Sequence, residues 1–285
     1  MEEKLLEGRW FAIVNPVAGS GKGLKDWPQI CDVLHKSGIK FDALFTLHKY
    51  HGVELAVQAV KNGYRQIIVV GGDGTLHEVV NGLFIQDIVE PKSVLLAVIA
   101  VGTGNDWIRM FGIPKTYPEA VKAIADRHTF LQDVGKVDYW ECKIKQTRYL
   151  ANVAGCAYDA AVCDMFNKFH SKGYRGKWLY IVAAILQAFI YRTKQTVIIS
   201  DGKEVFRGRM LTGTIGVCKY TGGGLTQTPL AIADDGLFDL TIVPKMCRFW
   251  LSYVTGMCYT QGKYMMSLKS ISYAEQIWRS SQTLR

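Results

Sequence analysis

Short β-branched runs alternate with longer stretches of helical spacing through the first half of the chain. Residues 9–14 are apolar up to Asn15-Pro16, residues 26–37 have helical spacing, residues 41–46 are extended and residues 52–62 are helical again. The pattern repeats with an apolar run over 66–70, a helix over 76–83, an extended run over 93–101 and a helical segment over 107–111. Such alternation predicts a parallel, doubly wound sheet whose ligands bind beyond the carboxyl ends of the strands. Pro114 and Pro118 interrupt the helical pattern, and a helix over 119–126 closes this part. Segments 134–137, 140–144, 148–153, 195–200, 205–218 and 237–243 then read as an antiparallel sheet. The expected organisation is an α/β domain over 1–131 and a β-rich domain over 132–285.

The run 178–191 is apolar nearly all round, with Lys168, Lys172, Arg175, Lys177, Arg192 and Lys194 about it. It is a surface helix resting on anionic lipid or a core helix with solvated basic ends, and the lack of a single apolar stripe favours the core. It is short of the about 20 residues a membrane span needs. A chain of 285 residues has room for two cores. Its net charge of +9 suits an anionic membrane surface, a polyphosphate ligand or nucleic acid. Nucleic acid is the weakest of these, because no RNA-binding aromatic motif, zinc finger or basic recognition helix is present. Seven scattered cysteines without a C-x-x-C pair indicate reduced thiols, and the acidic first seven residues do not form a secretory signal. A cytoplasmic protein is expected, associating transiently with the inner membrane surface.

The chemistry concentrates at Gly71-Gly72-Asp73-Gly74-Thr75, between the apolar run and a helix. Glycines permit close approach of a ligand to the backbone, and free N–H groups at a helix start, backed by its dipole, suit phosphate. Thr75 and Glu78 fit a T-x-x-E capping box, and Asp73 offers a carboxylate to a hydrated Mg²⁺. A plain sharp turn is the competing reading. A second strand-glycine-helix junction, Gly102-Thr103-Gly104-Asn105-Asp106, falls on the same sheet edge and makes a shared phosphate pocket the leading idea. The loop from Asn15 through Gly23 departs from the Walker pattern at Pro16 and Gly23, and is either a phosphate contact through Asn15 and its N–H groups or a flexible turn. Thr46 ends its strand on that edge, to meet a nucleotide or to cap a turn. Asp159 faces a cleft or caps a helix, and Asp234-Asp235-Gly236 is a turn or a hard-cation ligand.

Gly71 to Thr75, followed by His77-Glu78-Val79-Val80-Asn81-Gly82 and by Gly102 to Asp106, resembles the diacylglycerol kinase catalytic family, in particular its soluble bacterial lipid kinases. The resemblance runs through the Asn15-Pro16 loop, Thr46, Gly222 to Gly224 and residues 229–239 in the family's order. It implies an NAD kinase- and phosphofructokinase-like α/β domain, an antiparallel β domain and ATP in the cleft between them. Thr46, Gly71, Gly72, Asp73, Gly74, Thr75, Leu76, His77 and Thr103 would contact ATP, with Asn15, Glu78, Gly102 and Asn105 beside them and Asp73 in the Mg²⁺ and water network. It further implies a structural Mg²⁺ on Asp235 and the carbonyls of Ile232 and Leu237. The partners expected are ATP and a lipid at a membrane surface, with a homodimer left open and no nucleic acid.

The family pattern continues beyond Trp278 into a strand and an Asp-Gly-Glu motif expected to supply the catalytic base, whereas this sequence stops at Arg285. The reading is therefore an ATP- and Mg²⁺-dependent lipid kinase acting on diacylglycerol or a related lipid, shortened at its C-terminus. An NAD kinase-like enzyme and a noncatalytic nucleotide-binding relative are the alternatives.

Overall fold

The computed structural model describes residue 6 and residues 8–102, 104–174, 176, 178–245, 271–275 and 283–284. The chain divides into two compact units, Met1–Ala151 with Ser280–Arg285, and Asn152–Arg279.

In the first unit, β1 (Trp10–Val14), β2 (Phe41–Phe45), β3 (Gln66–Gly71) and β4 (Leu95–Ala100) form a parallel sheet in the order β2-β1-β3-β4. The central strands are covered on both faces and are accordingly apolar throughout. Trp10, Ala12, Val14, Ile68 and Val70 pack with Ile30 and Leu34 of α1 (Trp27–Lys36) and Val121 of α5 (Tyr117–Ala125). Phe11, Ile13, Ile67 and Val69 are buried on the opposite face. Between the strands run α2 (His51–Lys61), α3 (Asp73–Ile85) and the short α4 (Asp106–Met110). Helices α2 and α3 meet at Gly82, where an added Cβ would lie 2.5 Å from the Val53 carbonyl oxygen.

Two local expectations are corrected here. Pro118 does not break a helix but lies in the first turn of α5, where its missing N–H has no intrahelical use. Residues 140–144 are not one continuous strand. Beyond the two-residue β5 (Gln132–Asp133), they span the turn joining β6 (Gly135–Glu141) to β7 (Ile144–Leu150), with Cys142 and Lys143 both at positive φ, as a two-residue hairpin turn of type I′ requires.

The first unit takes in the β6–β7 hairpin and runs to Ala151. The reason is Asn81 on α3. Its side-chain amide donates to the Tyr149 carbonyl at 3.0 Å, and its oxygen accepts the Tyr149 N–H at 2.9 Å. With Phe84 against the Tyr149 ring, this buried fork holds the β6–β7 hairpin to the α/β unit.

The second unit has an antiparallel sheet β14-β13-β10-β8, with β9 also on β10. Its strands are β8 (Val153–Ala157), β9 (Lys194–Ser200), β10 (Lys203–Gly216), β13 (Phe238–Pro244) and β14 (Ile271–Glu275). Two-residue strands β11 (Tyr220–Thr221) and β12 (Leu225–Thr226) pair separately. Helices α6 (Tyr158–Ser171) and α7 (Trp178–Ile190) follow β8. The core reading of α7 holds for one face only. Leu179, Ala183, Ala184 and Ala188 are buried, whereas Trp178, Ile185, Leu186 and Ile190 are 58, 37, 42 and 61% exposed. Small residues let α7 pack close, and the large apolar ones point outward. No helix among the described residues is long and apolar enough to cross a membrane.

Candidate functional site

Strand register brings the candidate residues to one edge of the parallel sheet. Val14 is aligned with Phe45 and Val70, and Gly71 with Ala100, so Asn15, Thr46, Gly72 and Val101 leave neighbouring strands side by side. Backbone bonds continue the ladder one step: Asn15 N–H to Val70 O at 2.9 Å, Thr46 N–H to Val14 O at 2.8 Å and Val101 N–H to Gly71 O at 2.9 Å.

The two glycine junctions touch. A Cβ on Gly102 would stand 2.7 Å from both the Gly72 Cα and the Asn105 side-chain oxygen, and one on Gly71 would stand 2.5 Å from the Thr75 hydroxyl. Only glycine fits at either place. The loop after β1 closes over them, because a Cβ on Gly19 would stand 2.0 Å from the Val101 carbonyl oxygen. That segment runs into a short helix, Ala18–Lys25, kinked where Gly19, Ser20 and Gly21 are all left-handed.

Asp73 ties the junctions together. Its Oδ1 accepts the Trp107 N–H at 3.0 Å and its Oδ2 the Asp106 N–H at 3.1 Å, so it caps α4. The sequence left Asp73 without a structural job, and the structure supplies one. The expected capping box does not form. Thr75 Oγ accepts from the Asn15 amide at 2.9 Å, which ties the first loop to α3. Glu78 instead accepts the N–H groups of Tyr50 and Gly52, both at 3.0 Å, and so caps α2 and steadies the loop that follows Thr46. A tertiary donor pair has displaced the local one.

The first intrahelical bond of α3 is Leu76 N–H to Gly72 O, at 3.0 Å. The N–H groups of Asp73, Gly74 and Thr75 therefore precede the helical ladder at the positive end of a 13-residue helix. Gly74 is exposed there, and no atom lies within 4 Å of where its Cβ would be. Asn105 adopts φ 55°, its amide donates to the Gly102 carbonyl at 2.8 Å, and its Oδ1 is buried with no hydrogen-bond partner among the described residues. Phosphate oxygens fit the free N–H groups, and a donor fits the orphaned oxygen.

His77 is held below the ordinary histidine range by burial first and by Arg148 second, with Glu78 opposing. Leu76 and Thr46 are buried, and Leu76 offers the site only backbone. Thr103 lies outside the described residues.

In the second unit, Asp235 Oδ1 accepts the Leu237 N–H at 2.9 Å, which makes the Asp235 segment an Asx turn. Burial first, and the Asp235 charge second, push the nearby Asp239 carboxyl up to about 6. The Asp235 and Asp239 carboxylates are near enough to interact, and carboxylate oxygens are the donors a hard cation takes. Asp159 is neither a free carboxylate nor a simple cap. It accepts from Gln227 at 3.0 Å and Thr214 at 3.3 Å, and burial raises its pKa against these bonds. Its partners come from distant segments, so nothing in local spacing announces the set.

Residues 9–137 match the model of the diacylglycerol kinase catalytic domain, and residues 152–267 that of the YegS C-terminal NAD kinase beta sandwich-like domain. A diacylglycerol kinase of Staphylococcus carnosus is 30% identical over 234 residues, 82% of this chain and 72% of that protein. One of Mycobacterium tuberculosis is 27% identical over 242 residues, 85% of this chain and 75% of its own. The crystal structure of a diacylglycerol kinase from Bacillus anthracis, 22% identical, superposes with a TM-score of 0.62 over 93% of this chain and 83% of that one, a likeness of fold. With both halves matched in order, the chain belongs to the diacylglycerol kinase catalytic-domain family.

Proposed function

We propose that the protein is an ATP- and Mg²⁺-dependent kinase that phosphorylates a hydroxyl of diacylglycerol or a related lipid. The observation that carries this reading is the pair of interlocked glycine junctions, with the unpaired N–H groups of Asp73, Gly74 and Thr75 beside the partnerless Asn105 oxygen. ATP supplies the terminal phosphoryl group: its bond to the ADP oxygen breaks as a bond to the lipid oxygen forms, and the hydroxyl proton is lost. Phosphoryl transfer of this kind is governed by positioning and electrostatics.

Within that reading, Gly71 to Thr75 and Gly102 to Asn105 hold the phosphates through backbone groups, and Thr46 and Asn15 border them. Asp73, already fixed by two N–H donors, presents its remaining lone pairs to the Mg²⁺ and water network. The Asp235 turn, with the Ile232 and Leu237 carbonyls, holds a second, structural cation.

The lipid is met at an anionic membrane surface. Supporting this is the outward apolar face of α7, with Lys168, Lys172, Arg192 and Lys194 exposed on the segments flanking it. Apolar area with basic residues around it suits a bilayer interface. Purified protein incubated with Mg²⁺, labelled ATP, NAD and vesicles carrying diacylglycerol should yield labelled lipid. Label in NAD and none in lipid would overturn the reading.

A further inference from the structure

We propose that His48, His51 and Glu54 form a binding site for a transition-metal dication of the Zn²⁺ class. His48 lies on the turn after β2 and His51 and Glu54 in the first turn of α2, spaced as His-x-x-His-x-x-Glu. One ligand atom from each lies within 4.8 Å of the others. The imidazole rings stack with centroids 4.6 Å apart, and His48 Nε2 is 4.0 Å from Glu54 Oε1.

The chemistry of the donors selects the ion. Two imidazoles and a carboxylate suit Zn²⁺, Ni²⁺ or Cu²⁺, whereas Mg²⁺ prefers oxygen and retains its waters. His48 is oriented for ligation, because its Nδ1 lies 3.1 Å from the Lys49 carbonyl. With Nδ1–H donating to that carbonyl, Nε2 keeps its lone pair, the usual outer-shell arrangement of a metal-binding histidine. Lys49, the cation nearest in sequence, lies over the Tyr50 ring, 4.8 Å from its centroid. His48 and Glu54 are exposed, so ligand atoms at these separations close on an ion by side-chain rotation. Three protein ligands leave a coordination position for water.

His51 makes the site consequential. Its Nδ1 accepts the Leu47 N–H at 3.0 Å. A neutral imidazole has one N–H and one lone pair. Ligation through Nδ1 displaces the Leu47 bond directly, and ligation through Nε2 puts the proton on Nδ1, which then no longer accepts. Either way, metal binding frees the N–H of the residue after Thr46. An ion here therefore changes the loop that borders the phosphate junctions, and this consequence rests on the nucleotide reading above.

The test is a calorimetric titration of the chelator-treated 285-residue chain with ZnCl₂, alongside His48→Ala, His51→Ala and Glu54→Gln. Exposed thiols compete for Zn²⁺, so the titration is repeated in a Cys142→Ser, Cys156→Ser, Cys163→Ser background, and Co²⁺ absorption is used to look for thiolate ligation. One equivalent should bind without a thiolate band, and each ligand substitution should weaken it by at least about tenfold, the loss that even an outer-shell substitution brings. Binding unchanged by the histidine substitutions, abolished by the serine substitutions, or absent in the wild type would overturn the proposal. Affinity for a fluorescent ATP analogue is then measured with and without Zn²⁺. A shift in the wild type that is missing in His48→Ala supports the coupling. Zn²⁺ binding by a protein that binds no nucleotide would leave the metal site standing and sink the nucleotide reading.

Discussion

The Asp73 carboxylate accepts the Trp107 backbone N–H at 3.0 Å, across 34 positions of sequence. This bond, with its companion from Asp106, makes one side chain responsible both for the start of α4 and for the approach of the two glycine junctions. Asp73→Ala should therefore lower stability by about 1–2 kcal/mol, the usual loss on removing a helix-capping side chain. A reading from glycines alone would leave the fold untouched by this change. Asp73→Asn retains one acceptor oxygen and should recover part of the stability but not Mg²⁺-dependent transfer. Urea denaturation alongside lipid phosphorylation separates the two effects. Equal losses of stability in Ala and Asn variants would refute the capping role.

Gly102 and Gly74 make a contrasting pair. A methyl on Gly102 meets the Gly72 Cα and the Asn105 oxygen at 2.7 Å, whereas one on Gly74 meets nothing within 4 Å. Gly102→Ala should destabilise by about 1–3 kcal/mol, as overpacking does, and abolish nucleotide binding. Gly74→Ala should leave stability near wild type while weakening ATP, because its methyl projects where phosphate is expected. Thermal melts and ATP-analogue titration on both variants are sufficient, and matching behaviour of the two would refute the assignment.

Asn81→Leu should destabilise the first unit more than either of these. The substitution strips partners from the Tyr149 N–H and carbonyl, and burial without a partner costs about 1–3 kcal/mol for each group. The accompanying signature is local. Amide exchange in β6 and β7 should quicken well beyond that in β1 and β3, and uniform acceleration would count against the fork as the hairpin's anchor.

The parallel sheet was readable because β1, β3 and β4 are short, almost wholly apolar runs that alternate with stretches of helical spacing. Gly71, Gly72 and Gly102 were readable because close backbone approach excludes every other residue. Partner choice was not. Thr75 and Glu78 have the spacing of a capping box, yet donors from Asn15, Tyr50 and Gly52 satisfy them, and those depend on how three strands align. The β-like segment at 140–144 hid a turn, since Trp140 and Ile144 are largely exposed on the hairpin. In α7 an all-apolar sequence carries no phase. The sign of its inner face was the small-residue spacing of Ala183, Ala184 and Ala188, which allows close packing.

That outward face of α7 predicts a membrane phenotype separable from catalysis. Trp178→Lys with Ile190→Glu should leave the melting temperature near wild type, because both side chains are more than half exposed. Sedimentation with vesicles rich in anionic phospholipid should fall, and phosphorylation of a short-chain, water-dispersed diacylglycerol should persist. Unchanged sedimentation would remove α7 from the membrane contact.

Asp239 gives the second unit a pH dependence of definite sign. Its carboxyl, ordinarily near 3.8, is raised to about 6 by burial and then by the Asp235 charge, with Lys219 opposing. Between those two values the folded chain keeps a proton that the unfolded chain has released. The stabilising contribution is thus full below about pH 3.8, falls as pH rises and is spent above about 6. Asp159, also raised by burial, acts in the same direction, whereas His77, lowered by burial, weakens the fold as pH falls through the range of a free histidine. The difference between wild type and Asp239→Asn isolates one group. The variant's urea midpoint relative to wild type should be higher at pH 7.5 than at pH 4.5. Asp235→Asn should bring the Asp239 pKa part of the way down, since burial remains. A divalent cation on the Asp235 turn should lower it further, because positive charge favours the carboxylate. Titration of the Asp239 carboxyl by NMR with and without Mg²⁺ therefore tests the electrostatics and the proposed cation together. An Asp239 pKa insensitive to both Asp235→Asn and Mg²⁺ would show that burial alone sets it and that the turn holds no ion.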